Sequence, residues 1–146
     1  MTMFPIIRVI SKLIIPYILL FAFYVQFHGD YGPGGGFQAG VIFAAGLILY
    51  GMVFGLASIK TIAPPILIEK LMAGGVLVYA GTGVLTMMLG GNFLDYDVLE
   101  HSVLPSWHVP SGQHLGIFLV ELGVGITVTA VMTMIFYAFA GRNRTP

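Results

Sequence analysis

Polar residues are sparse in this chain and fall in clusters, and the apolar stretches between them set the architecture. Asp30 and Lys60 bracket one stretch free of Asp, Glu, Lys and Arg, Lys70 and Asp95 a second, and Glu121 and Arg142 a third. A helix needs about 20 apolar residues to cross a hydrocarbon core about 30 Å thick. Each bracket therefore holds one crossing helix and is too short for two. The first crossing is less cleanly bounded, because only fifteen residues separate Lys12 from His28. That is roughly 22 Å of helix at about 1.5 Å per residue. It reaches full length if it starts near Phe4, with Arg8 and Lys12 one turn apart and their charged heads extended to the interface. The pattern predicts an all-α, polytopic membrane protein with four transmembrane helices over about 4–27, 38–59, 66–91 and 113–140. Residues 1–146 then form a single membrane domain, with external loops at 28–37 and 92–112. A cleaved signal peptide fits poorly, since the first apolar run carries Pro16 and aromatics and no small-residue cleavage site follows it.

Composition points the same way. Charged residues make up 8% of the chain, against about 25% in soluble proteins. The hydrophobic fraction is 58% and the mean hydropathy is +0.96. Six basic and six acidic side chains cannot cover the surface of a soluble domain of this size. The absence of cysteine excludes thiol redox chemistry, iron–sulfur ligation and thiolate zinc sites. With zero net charge and no basic patch, a nucleic-acid binder is excluded as well. No cofactor-binding pattern is present, and no hydrolytic constellation points to an enzyme.

Where the charges sit says more than how few there are. Arg8, Lys12, Lys60, Lys70, Arg142 and Arg144 all fall on one side of the predicted spans. The positive-inside rule then places both termini in the cytoplasm. The opposite loops carry Asp30, Asp95, Asp97 and Glu100, an acidic face that would concentrate cations.

Glu121 is the single acidic residue well inside an apolar span, in Ile117-Phe118-Leu119-Val120-Glu121-Leu122-Gly123-Val124. Such a carboxylate costs about 2.5–3.5 kcal/mol at the centre of a membrane helix, which makes it a functional candidate. Low dielectric favours a protonated or cation-bound form. Two readings stand: a position on an ion path, or a hydrogen-bonding anchor between subunits. His114 lies seven residues earlier on the same helix face, as a proton relay toward the outer surface or as a cap at the interface.

The turn leading into helix 2 contains Pro33-Gly34-Gly35-Gly36-Phe37. Three consecutive glycines are costly in a helix interior. The segment is either a tight turn joining helices 1 and 2 or a close backbone approach to a neighbouring subunit or an ion path. A phosphate-binding loop is excluded, because no Gly-Lys-Ser/Thr follows. Gly36 and Gly40, and again Gly51 and Gly55, are spaced as GxxxG, and helix 3 carries Gly74, Gly75, Gly81 and Gly83. Such faces suit close helix–helix packing, within the chain and with other chains. In the second external loop, Asp95, Asp97, Glu100, His101 and His108 match no metal-ligand spacing, so no metal site is expected, and Trp107 sits where interface aromatics sit. A faint echo links Pro33 to Gln38 with Pro110 to His114, each ahead of a helix from the outer side.

Three segments together resemble the B-type subunits of the Mrp family of multisubunit cation/proton antiporters, also called Mnh. They are Pro33-Gly34-Gly35-Gly36-Phe37-Gln38-Ala39-Gly40, Leu119-Val120-Glu121-Leu122-Gly123-Val124-Gly125-Ile126-Thr127-Val128 and Ile135-Phe136-Tyr137-Ala138-Phe139-Ala140-Gly141-Arg142. The resemblance covers the whole chain. It implies a small subunit of a hetero-oligomeric complex in a bacterial inner membrane, with the other Mrp subunits and the lipid bilayer as partners. The complex would exchange Na+ for H+, driven by the proton motive force, and support sodium tolerance and pH homeostasis. A related module of a membrane-bound hydrogenase, or a purely structural assembly subunit, are the alternatives. Carried onto this chain, the resemblance marks Pro33 to Phe37 and Glu121. The ion-path or inter-subunit candidates are then Glu121, His114 and Asp30.

Overall fold

A computed structural model describes residues 5–29, 34–96, 98 and 112–142. Among these it contains five helices: α1 (Pro5–His28), α2 (Gly36–Phe54), α3 (Leu56–Ile62), α4 (Pro65–Met88) and α5 (Gly112–Ala140). All but α3 are long and apolar enough to cross a membrane, so the chain is a polytopic membrane protein with four spans. Its outer surface fits that setting. Ile6, Val9, Leu13, Tyr17 and Leu20 of α1 are all exposed, an apolar face that belongs against lipid or protein rather than water.

The second span differs from the expected continuous helix over 38–59. It stops at Phe54, and a separate seven-residue helix follows. The break is Gly55, whose φ of +95° lies in the left-handed region that glycine enters without a Cβ penalty. Its N–H still reaches the Gly51 carbonyl at 3.0 Å, so the turn closes without an orphaned donor. A second corner follows at Ala63–Pro64. Pro64 is extended (φ −61°, ψ 145°) and Pro65 opens α4, where a missing N–H costs nothing because the first helical donors have no intrahelical partner.

The buried cluster lies at these corners. Ile59, Ala63, Ile68, Ala130 and Tyr137 pack together, with Leu47, Tyr50 and Leu56 against them. The Tyr137 hydroxyl donates to the Ala63 carbonyl at 2.6 Å, supplying a partner to a buried group where the helix has just ended. Tyr137 thereby ties the last turns of α5 to the α3–α4 corner.

Elsewhere the helices meet through small residues. α1 packs on α2, α2 on α5, and α5 on α4. At the α4–α5 crossing a Cβ on Gly75 would lie 2.7 Å from the Gly123 carbonyl, and one on Gly123 would lie 2.8 Å from the Gly75 carbonyl. The backbones are therefore in direct contact, as membrane helices allow when no side chain intervenes. At the α2–α5 crossing the Thr129 hydroxyl stands 3.1 Å from the Gly40 carbonyl and 2.8 Å from that of Gly125. Its single proton is shared between the two helices.

α4 ends in a built turn. Buried Thr86 accepts from the Leu94 N–H at 3.0 Å and stands 3.1 Å from the Asn92 carbonyl. The Phe93 ring occupies the space where Gly83 lacks a Cβ.

Candidate functional site

The chain's two most distinctive sequence features meet in space. Glu121 of α5 lies against the glycine turn between α1 and α2. A Cβ on Gly29 would stand 2.5 Å from Glu121 Oε2 and 2.9 Å from Oε1, and one on Gly35 would stand 3.1 Å from Oε1. A Cβ on Gly36 would run into the Glu121 main-chain carbonyl. Gly29 follows α1 directly, Gly35 caps α2, and Gly36 is its first residue. Three residues without side chains thus form a collar around Glu121, two beside its carboxyl group and one against its main chain.

Each element contributes for a local reason. Gly35 has φ +129°, outside the range of ordinary L-residues, so the chain can turn sharply into α2. Phe27 stacks on Phe118 with ring centroids 5.7 Å apart, holding the end of α1 against α5 one turn before Glu121. The carboxylate also stands beside the first turn of α2. There the main-chain N–H groups lack intrahelical acceptors and the helix dipole is positive, an arrangement that stabilises negative charge.

The collar also fixes the depth of Glu121. Nineteen residue steps separate it from Ala140, the end of α5, or about 28 Å of helix at 1.5 Å per residue. That is about one hydrocarbon thickness. Glu121 stands level with the ends of α1 and α2, well away from the far end of α5. The earlier turns of α5 project beyond it.

The other candidates are distributed around this point. His114 is half-buried on α5, about 10 Å further out along the axis. Gly34 packs against Gly29 and the Val25 carbonyl. The Phe37 side chain is 63% exposed and takes no part in the collar. Asp30 and Pro33 lie outside the described residues, as do Asp97, Glu100, His101, Trp107, His108 and Pro110.

Two participants do not stand out in the sequence. Gly29 is there one glycine among several in a loop, and nothing local reveals that it touches a residue 92 positions away. Gln26 is 7% exposed, and a Cβ on Gly125 would lie 2.6 Å from its Oε1. Since Gly125 is one turn along α5 from Glu121, Gln26 lies one turn further into the membrane. Its signal is an uncharged polar residue inside the apolar run from Phe21 to Phe27.

The opposite end of the molecule gathers the basic side chains. Arg8 and Lys12 lie 6.0 and 5.8 Å from the Phe54 ring centroid, and Lys60 lies 5.9 Å from that of Tyr137. These are cation–π distances.

Comparison with known proteins places the chain. The family described as "Domain related to MnhB subunit of Na+/H+ antiporter" matches over residues 6–134. A Staphylococcus haemolyticus protein provisionally named antiporter subunit mnhB2 is 33% identical over 138 residues, covering 93% of this chain and 94% of its own. A Staphylococcus aureus protein (strain Newman) of the same name is 34% identical over 140 residues, with the same coverage. The matched region takes in the glycine turn, Glu121, the second and third spans, nearly all of α1 and most of the last helix, and the chain belongs to the MnhB family of Na+/H+ antiporter subunits.

Proposed function

We propose that this multi-pass subunit of a multisubunit Na+/H+ antiporter helps form the cation-translocating part of its complex, with Glu121 handling the exchanged ions. The observation that carries the reading is the glycine collar, which reserves space for one carboxyl group at the membrane boundary. A carboxyl group seated there among main-chain atoms would take up a proton or a Na+ ion in turn, and competition between the two is the elementary step of exchange. One such group does not complete a path across a membrane, so the remaining ionisable groups belong to other subunits of the complex. His114 would extend the route outward from Glu121, and Asp30 would draw cations toward it.

The gathering of basic residues at the other end supports an orientation with both termini in the cytoplasm. Glu121 then faces the outer side of a bacterial cell membrane, the side from which protons enter under the proton motive force. Na+ export at that cost supports sodium tolerance and pH homeostasis.

The test is Glu121→Gln in the intact complex, assayed in inside-out vesicles for Na+-dependent proton movement. The complex is expected to assemble, with exchange reduced about tenfold or more, in line with removal of an ionisable transport group. Normal exchange in an assembled complex would reject the ion-handling role. Loss of assembly would instead assign Glu121 to holding α5 on the α1–α2 turn.

A further inference from the structure

A cavity of about 350 Å³, open to the surface, lies where α1, α2 and α5 meet, with Leu71 of α4 also in its wall. Gln26 and Thr129 are the polar side chains that line it. The Thr129 hydroxyl is already engaged with the Gly40 and Gly125 carbonyls. The Gln26 amide is not: its Nε2 is buried and has no hydrogen-bond partner. A buried donor without an acceptor is destabilising, and native structures rarely leave one so.

The lining decides what can supply that acceptor. A buried water needs two to four polar partners, and this wall offers one unengaged donor among Phe23, Phe43, Ile126 and other apolar groups. Water is thus a poor occupant. The cavity suits a long apolar body bearing a single acceptor oxygen.

Depth identifies that body. α1 has 24 residues, or about 36 Å, a few ångströms more than the hydrocarbon core. Gln26 lies two residues short of its end at His28, about 3 Å along the axis, just inside the level of the boundary between hydrocarbon and headgroups. From there the lining runs inward. Gly75 of α4 faces Gly123 and Thr127, so Leu71 lies about one turn deeper, close to the level of Thr129. An acyl chain entering from the Glu121 side would follow this direction and leave its ester carbonyl beside Gln26. We propose that the cavity is a binding site for a membrane phospholipid, with an acyl chain packed against the wall formed by Phe23, Phe43 and Ile126 and an ester carbonyl accepting from Gln26 Nε2.

The experiment uses the whole antiporter complex in liposomes of palmitoyl-oleoyl phosphatidylglycerol and phosphatidylethanolamine. p-Benzoylphenylalanine replaces Phe23, and adducts formed on illumination are identified by mass spectrometry. The expected product is a phospholipid adduct on this chain. Gln26→Leu should lower its yield roughly fivefold, the loss of one hydrogen bond, with the complex still assembled. Leu71→Trp fills the cavity at a position 39% exposed and should lower the yield as well. It carries the test alone if Gln26→Leu fails to assemble. Cross-linking to another subunit instead of lipid would overturn the proposal. So would a lipid yield unchanged by the substitutions, since Phe23 would then report only bulk bilayer.

Discussion

The two ends of this bundle are held together by opposite means. At the basic end, side chains fill space: Ile59, Ala63, Ile68 and Tyr137 pack into a buried cluster, and the Tyr137 hydroxyl closes on the Ala63 carbonyl at 2.6 Å. At the acidic end, side chains are missing where the helices meet, and Gly29, Gly35 and Gly36 leave the space that the Glu121 carboxyl and its main chain occupy. One end gains stability from burial and a satisfied hydrogen bond. The other gives up side-chain packing to seat the Glu121 carboxyl group at the ends of α1 and α2. A region arranged in that way is built around the group it holds, and substitutions should separate the two ends by kind as well as by size.

The largest effect is expected at Gly36. A Val there would drive its branched side chain into the Glu121 backbone, and overpacking against main chain has no soft neighbour to yield. The cost should reach about 3 kcal/mol or more. Co-purification of this chain with the rest of the complex should fall correspondingly. Near-normal recovery would mean that the collar is looser than described.

Next comes Tyr137→Phe, which leaves the buried Ala63 carbonyl without its partner. The expected loss is about 1–2 kcal/mol, seen as a lower thermal midpoint of the purified complex. The exchange rate at permissive temperature should be unchanged, because Tyr137 lies far along α5 from Glu121. A transport defect without a stability defect would erase the distinction between the two ends.

The smallest effect sharpens the comparison from outside. A Cβ on Gly81 meets nothing within 4 Å, whereas one on Gly75 meets Thr127 and the Gly123 carbonyl. Gly81→Ala should therefore be neutral or stabilising, within about 1 kcal/mol, while Gly75→Ala destabilises. Thermal unfolding of the two variants side by side measures the difference. A clear loss of subunit association from Gly81→Ala would place another chain's helix on that face of α4.

The span count was legible because charges are so expensive in hydrocarbon that their positions bound each helix. Which helices pack through which glycines was not. Gly51 and Gly55 read alike as a GxxxG pair, yet Gly51 packs beneath the Phe136 ring while Gly55 has φ +95° and ends the helix. Whether a glycine serves packing or bending depends on tertiary neighbours that spacing does not encode. Glu121 stands out because an ionisable group in an apolar run is rare. Its depth does not, since apolar residues continue on both sides of it and only the structure shows that α5 extends beyond its neighbours. Gln26 is inconspicuous because an uncharged amide near a helix end costs little in a sequence count. Its burial and missing partner emerge only after α1 meets α5.

The central claim is that the glycine collar acts on ion exchange through the carboxyl group it surrounds. A double-mutant cycle on Gly29 and Glu121 tests it most directly, with initial rates of Na+-dependent proton movement normalised to assembled complex. Gly29→Ala puts a Cβ within 2.5 Å of Glu121 Oε2 and should slow exchange about fivefold to tenfold, a shift of roughly 1–1.4 kcal/mol. In the Glu121→Gln background the same substitution should add almost nothing, because the carboxyl group through which it acts is gone. Equal slowing in both backgrounds would show that Gly29 and Glu121 act independently and would contradict the account.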